Sequence, residues 1–118
     1  MFHYFETIIL EEADKFIFTL DTKVRKKIFY NIRLAERANS PELFKKLIGE
    51  IWEFRTLYAE QQIRVLAFWD KTDKANTLVI ATSGFIKKTQ KTPLNEIEKA
   101  KQIRVRYFEE KDIAINKK

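Results

Sequence analysis

The sequence predicts an α+β fold in the order β-α-α-β-β-β-α: a helical hairpin packed on a small, mostly antiparallel sheet, with a C-terminal helix. Three observations predict it. Two stretches, residues 11–20 and 22–38, repeat apolar residues at helical spacing. Residues 50–88 change to the two-residue alternation and β-branched richness of strands. A third helical pattern then follows Pro93.

Taken in order, residues 3–10 (HYFETIIL) are rich in aromatic and β-branched types and predict the first strand. Ala13, Phe16, Ile17 and Leu20 fall on one side of a short helix. Asp21 or Thr22 can cap a second helix running to about Ala38, whose stripe is Val24, Ile28, Ile32 and Ala35. Its other side carries Lys23, Arg25, Lys26, Lys27, Arg33 and Arg37. Ser40-Pro41-Glu42 is a helix-start signal, predicting a short helical segment that Gly49 closes. Residues 50–58 and 62–70 predict a strand hairpin, and a polar loop at 71–76 leads to a further strand, TLVIATSGFIK. The last helix is expected from Pro93 to about Lys111, capped by Thr92, with Ile97, Ala100, Ile103 and Tyr107 inside and Lys99, Lys101, Arg104 and Arg106 outside. Residues 116–118 read as a loose tail.

Composition narrows the chemistry. A chain of 118 residues, 45% hydrophobic and 14% aromatic, suits one domain, 1–118, with one core. The absence of cysteine excludes disulfides and thiolate–zinc sites and suits a reducing cytoplasm. A single histidine, His3, excludes a multi-histidine metal site. Two glycines cannot build a nucleotide-binding glycine loop, and Ser83-Gly84 lacks the frame of a hydrolase elbow. A mixed Asp/Glu metal site stays open, although no EF-hand or similar spacing is present, and no cofactor is implied. No apolar run approaches the roughly 20 residues of a membrane span, so no membrane partner is expected. Lys and Arg exceed Asp and Glu by 23 to 17, a net charge of +6, which suits an anionic partner.

Strand alternation sorts the candidate site residues. Trp52, Phe54 and Thr56 share one side of the strand at 50–58, and an aromatic side belongs to the core. Glu53 and Arg55 then point to a cleft or to water. Arg64 and Phe68 lie opposite the apolar set Ile63, Val65, Ala67 and Trp69. Arg64 is the one cation of an otherwise apolar strand, where burial for packing alone would be costly. If the strands are neighbours, Arg55, Arg64 and the Lys87–Lys88 end converge on one side of the sheet. Cations beside an exposed aromatic such as Phe68 or Phe85 suit RNA, with phosphate on the cations and an unstacked base on the ring. The plainer alternative is a solvated charged sheet surface, with Glu53 pairing to cations across the strands.

The segments WEFR (52–55), IRVLAFWD (63–70) and GFIKKTQKTPLNEIEKAK (84–101) resemble the phage-derived HigB-type toxins of the RelE/ParE superfamily. The likeness runs over about residues 45–110. It implies a RelE-like fold and a toxin of a type II toxin–antitoxin system: a cytoplasmic, ribosome-dependent mRNA endoribonuclease that inhibits translation, without a metal. By that resemblance Arg55, Arg64, Lys87 and Lys88 surround the scissile phosphate. Gln90 orients a base or sugar, and Phe68, Phe85, Lys91, Lys99 and Arg104 contact RNA. Glu53, or a lysine of lowered pKa, is a candidate general base. The implied partners are a helix-turn-helix, HigA-like antitoxin, the ribosome and mRNA. A ParE-like, non-catalytic inhibitor of DNA gyrase and a phage-type structural protein are the alternatives.

Overall fold

The computed structural model describes residues 2–72 and 77–116, so most of the expected 71–76 loop and the tail residues 117–118 lie outside the described residues. Eight elements follow in the order β1 (Glu6–Ile9), α1 (Glu11–Phe18), α2 (Thr22–Ala38), β2 (Phe44–Ile48), β3 (Ile51–Tyr58), β4 (Gln61–Asp70), β5 (Leu78–Lys87) and α3 (Leu94–Asn116). The α+β class and the helical hairpin are as expected. The sheet has one more strand than expected, in the order β1-β5-β4-β3-β2. Its pairings are antiparallel except for β1, which runs parallel to β5.

The additional strand corrects the helix expected after Ser40. The start signal is spent on a single turn, in which the Ser40 carbonyl accepts from the amides of Leu43 and Phe44, both at 3.0 Å. Phe44 then enters the core and stacks on Phe54 at 4.3 Å, which draws residues 44–48 into the sheet against β3. Gly49, at φ +55°, turns that hairpin instead of ending a helix. α3 also begins differently, because the Pro93 carbonyl accepts its first amides, from Glu96 and Ile97. The Thr92 hydroxyl is buried with no hydrogen-bond partner, so Thr92 is not the cap.

Both sides of the sheet are covered, and this decides the fate of the site residues. On one side Ala13 and Ile17 of α1 and Val24, Ile28, Ile32 and Ala35 of α2 pack on Phe54, Ile63, Val65, Ala67, Val79 and Ala81. On the other, Ala100 of α3 meets Ile51, Leu66 and Phe85, and the Phe68 ring lies 5.3 Å from that of Tyr107. A bulge in β5 makes the two layers compatible. Leu66 pairs with Ser83 but Ala67 pairs with Ala81, so Thr82 is the inserted residue, and its hydroxyl donates to the Leu66 carbonyl at 3.0 Å. Val79 and Ala81 therefore face the helical hairpin, whereas Ser83, Phe85 and Lys87 face the α3 side.

Gly84 fits this arrangement because the Phe16 ring of α1 lies directly on it, and a Cβ there would collide with the ring. The β3–β4 hairpin turns on Ala59 and Glu60, both at positive φ (+49° and +66°), a two-residue turn without the usual Asn or Gly. That short turn fixes the register that sets Arg55 opposite Arg64.

Candidate functional site

Cross-strand register builds the site. Arg55, Arg64 and Phe85 form one row across β3, β4 and β5. Glu53, Leu66 and Ser83 form the row on one side of it, and Leu57, Gln62 and Lys87 the row on the other. Directly opposed residues share a side of the sheet, so Glu53, Arg55, Arg64, Gln62 and Lys87 all lie on the α3 side. The convergence expected from alternation is realised for Arg55, Arg64 and Lys87.

The three charged residues at the centre are held tightly and incompletely satisfied. Arg64 is only 3% exposed and Glu53 also 3%. Glu53 Oε2 lies 3.5 Å from Arg55 Nε, and Oε1 lies 3.7 Å from Arg64 Nε. These are ion-pair separations, too long for good hydrogen bonds. Accordingly Glu53 Oε1, Arg55 Nε and Arg64 Nε are buried without hydrogen-bond partners. Arg64 donates through Nη2 to Gln62 Oε1 at 3.0 Å and through Nη1 to the Ile63 carbonyl at 3.3 Å. Burial pushes the Arg64 guanidinium below its ordinary range, Glu53 opposes that shift, and Arg55 adds to it. A guanidinium stays charged even so. The result is a buried cation with unused donor capacity beside a second cation, an arrangement suited to a phosphate.

The cluster opens to solvent. A groove of about 260 Å³ is lined by Glu42, Arg55, Thr56, Leu57, Gln62 and Arg64. Lys87 ends β5 opposite Gln62, so its strand position borders the groove row. Lys88, Gln90 and Lys91 are exposed on the connector to α3, where the Thr89 hydroxyl donates to the Lys91 carbonyl at 2.7 Å.

The family model of "Phage derived protein Gp49-like (DUF891)" matches residues 15–105, from within α1 to well into α3. The chain belongs to that family. The Gp49-like family is RelE-like and toxin-like, and a five-stranded mixed sheet with three helices and a C-terminal helix is consistent with a RelE-like fold. The matched span includes every groove residue and the whole β5–α3 connector. No curated protein gives a significant match to the chain.

Against this Gp49-like framework several sequence expectations need correction. Glu53 does not face water, because α3 covers its side of the sheet. It is a counter-ion behind two arginines, poorly placed to receive a substrate proton. Phe68 is fully buried and Phe85 is 7% exposed, so neither offers a ring to a base. Both pack under α3. Arg104, expected on the outside of α3, faces inward: its guanidinium lies 5.8 Å from the Phe68 ring centre and 5.2 Å from that of Phe108. Lys99 is solvent-facing as expected, but pairs with Glu12 of α1 at 3.5 Å.

Two acidic residues take places in the structure that the sequence reading did not give them. Asp70, 1% exposed, accepts from Tyr107 Oη at 2.5 Å, Lys111 Nζ at 2.6 Å, and Thr72 Oγ1 and N at 2.6 and 3.0 Å. Burial alone would raise its carboxyl pKa. The hydrogen bonds from Lys111, Thr72 and Tyr107 outweigh burial and hold it well below the ordinary carboxylate range. Burial, then the bond to Asp70, pushes the Tyr107 phenol up. Tyr107 and Lys111 sit one helical turn apart, which is the signal that could have located Asp70. Glu42 is the second, and its signal was masked by reading residues 40–49 as helix.

Proposed function

We propose that the protein is the toxin of a type II toxin–antitoxin system and acts as a ribosome-dependent mRNA endoribonuclease. The observation that carries this reading is the Arg55–Arg64 pair: two adjacent cations, one of them buried, that line an open groove in a toxin-like family. Packing does not account for such a pair, since a hydrophobic residue at position 64 would avoid the desolvation of its charge.

In the proposed reaction a ribose 2′-oxygen attacks the adjacent phosphorus, leaving a 2′,3′-cyclic phosphate and a 5′-hydroxyl. Negative charge builds on the non-bridging phosphate oxygens, and Arg64 and Arg55 stabilise it from fixed positions. Glu53 holds both side chains in place. Gln62 takes one Arg64 donor and so fixes the plane of the guanidinium. Lys87 and Lys88 extend the positive surface from the end of β5 onto the connector, where Gln90 orients a base or sugar and Lys91 contacts the RNA backbone. Phe68, Phe85 and Arg104 belong to the packing that supports the groove, and Lys99 to the α1–α3 contact.

The partners in this reading are the ribosome, mRNA and a helix-turn-helix, HigA-like antitoxin. Lys23, Lys26 and Lys27 are exposed on α2 and suit an acidic antitoxin surface. Co-expression with an antitoxin encoded beside the toxin should restore growth and yield a co-purifying complex. The decisive experiment for activity is primer extension on messages from cells expressing the protein. New 5′ ends within translated messages are expected. DNA damage signalling with intact messages would instead support gyrase inhibition, and unimpaired growth would support a structural role.

A further inference from the structure

On the endoribonuclease reading above, we propose that Glu42 is the general base that accepts the proton of the attacking 2′-hydroxyl. Charge stabilisation by arginines is not enough, because the attacking oxygen must also lose a proton to a group within hydrogen-bond reach. An arginine cannot accept it. His3 lines a different cavity, with Glu6, Thr7, Arg33, Glu36 and Arg37. Glu53 is buried behind the two guanidinium groups it pairs with.

Glu42 is the one acid that lines the groove with Arg55 and Arg64, and it is exposed there. Among the described residues it forms no ion pair with either arginine, although both line the same 260 Å³ space. An acid and two cations that share a groove without closing on one another leave room for a phosphate and its ribose between them.

The backbone holds Glu42 in place. The turn at 40–44 is closed by two amide bonds to the Ser40 carbonyl, and Pro41 stiffens it. The turn is also tied to the site itself, because the Arg55 amide donates to the Leu43 carbonyl at 2.8 Å. The acid and its neighbouring cation are thus positioned by one continuous stretch of hydrogen-bonded backbone, as a preorganised acid–base pair requires.

The step balances without a further reactant. The 2′-hydroxyl proton passes to the Glu42 carboxylate as the 2′-oxygen bonds to phosphorus. The P–O5′ bond breaks with its electron pair on the 5′-oxygen, which takes a proton from water. Glu42 returns its proton to solvent after release.

The test is single-turnover cleavage of a defined mRNA on programmed ribosomes by wild type, Glu42→Gln and Glu42→Asp. Binding is measured in parallel with the same mRNA carrying a 2′-deoxy nucleotide at the cleaved position. A general base contributes about 10²–10⁴-fold, so Glu42→Gln should cleave at least about 100-fold more slowly, with Glu42→Asp between the two. Binding of the deoxy message by Glu42→Gln should be unchanged or tighter, because the variant removes an acid that repels phosphate. An unaltered melting temperature is expected from an exposed turn residue. Cleavage by a folded Glu42→Gln within threefold of wild type overturns the assignment and leaves the endoribonuclease reading standing. A loss of binding that matches the loss of rate also overturns it. Intact message with wild type overturns both.

Discussion

The two ends of β4 on the α3 side carry buried charge under the same helix, and they treat it in opposite ways. At one end Asp70 receives four hydrogen bonds from Thr72, Tyr107 and Lys111. At the other, Glu53, Arg55 and Arg64 lie at ion-pair distances with three of their polar atoms unpartnered. Burial of charge is the same problem in both places. The Asp70 end solves it internally, as a clamp between the C-terminal half of α3 and the sheet. The Arg64 end leaves it unsolved, beside a groove that both arginines line.

If the contrast is real, the two ends should fail differently. The largest loss of stability is expected at the satisfied end. Asp70→Ala leaves Lys111 and Tyr107 without their acceptor and should cost about 3 kcal/mol, at the low end for a broken buried pair because Lys111 reaches solvent. Urea denaturation measures it, and a loss below about 1 kcal/mol would erase the difference between the ends. At the open end, Arg64→Met with Glu53→Leu should leave stability unchanged or raised, since replacing a buried ion pair by well-packed hydrophobic residues of similar volume is often neutral or favourable.

Next in size is the connector. Charge reversal at Lys87 and Lys88 should weaken ribosome co-sedimentation and flatten its salt dependence by about one unit of slope per lost phosphate contact. The same reversal at Lys23 and Lys26, exposed on α2, changes net charge equally but should leave message cleavage intact. Equal loss of cleavage from both pairs would reduce the connector to bulk attraction. Gly84→Ala should cost about 1–3 kcal/mol by forcing the Phe16 ring off β5, a packing loss read as a lower urea midpoint.

A titration sharpens the contrast from the clamp side. The Asp70 carboxyl is held below its unfolded value, so its contribution is full above that value and is lost as pH falls through the folded one. Wild type should therefore lose stability below about pH 4–5 more steeply than Asp70→Asn. Parallel acid limbs would show that Asp70 does not carry the clamp. The smallest effect is at the turn that sets the Arg55–Arg64 register. Ala59→Asn with Glu60→Gly suits its positive φ angles and should add about 0.5–1 kcal/mol without altering cleavage.

Much of this was legible in the sequence. Two-residue alternation puts Glu53 and Arg55 on one side of their strand and, once the strands are neighbours, Arg64 beside them, and helical spacing identifies the inner stripe of α3. What it could not show was that α3 covers that same side. Burial of Glu53, Phe68 and Phe85 is a property of the helix packed above them, and nothing in their own strands encodes it. Residues 40–48 failed for a local reason. Ser-Pro-Glu starts a helical turn whether or not a helix continues, and Phe44 is drawn into the aromatic core by partners remote in sequence. The Thr82 bulge was similarly hidden, since β-branched residues suit a strand with or without an inserted position. Lys87 lies on the expected side of the sheet because it follows the bulge, on the same run as Phe85.

The most direct test of the contrast pairs denaturation with activity for Arg64→Ala. Losing one preorganised transition-state contact costs about 3–4 kcal/mol, or hundreds-fold in rate. The protein should keep a cooperative urea transition, its midpoint lowered less than by Asp70→Ala because Arg55 still pairs with Glu53, while message cleavage, mapped by primer extension, and growth arrest disappear. A folded Arg64→Ala that still cleaves messages and stops growth at the wild-type level would contradict the assignment of the open end as the site.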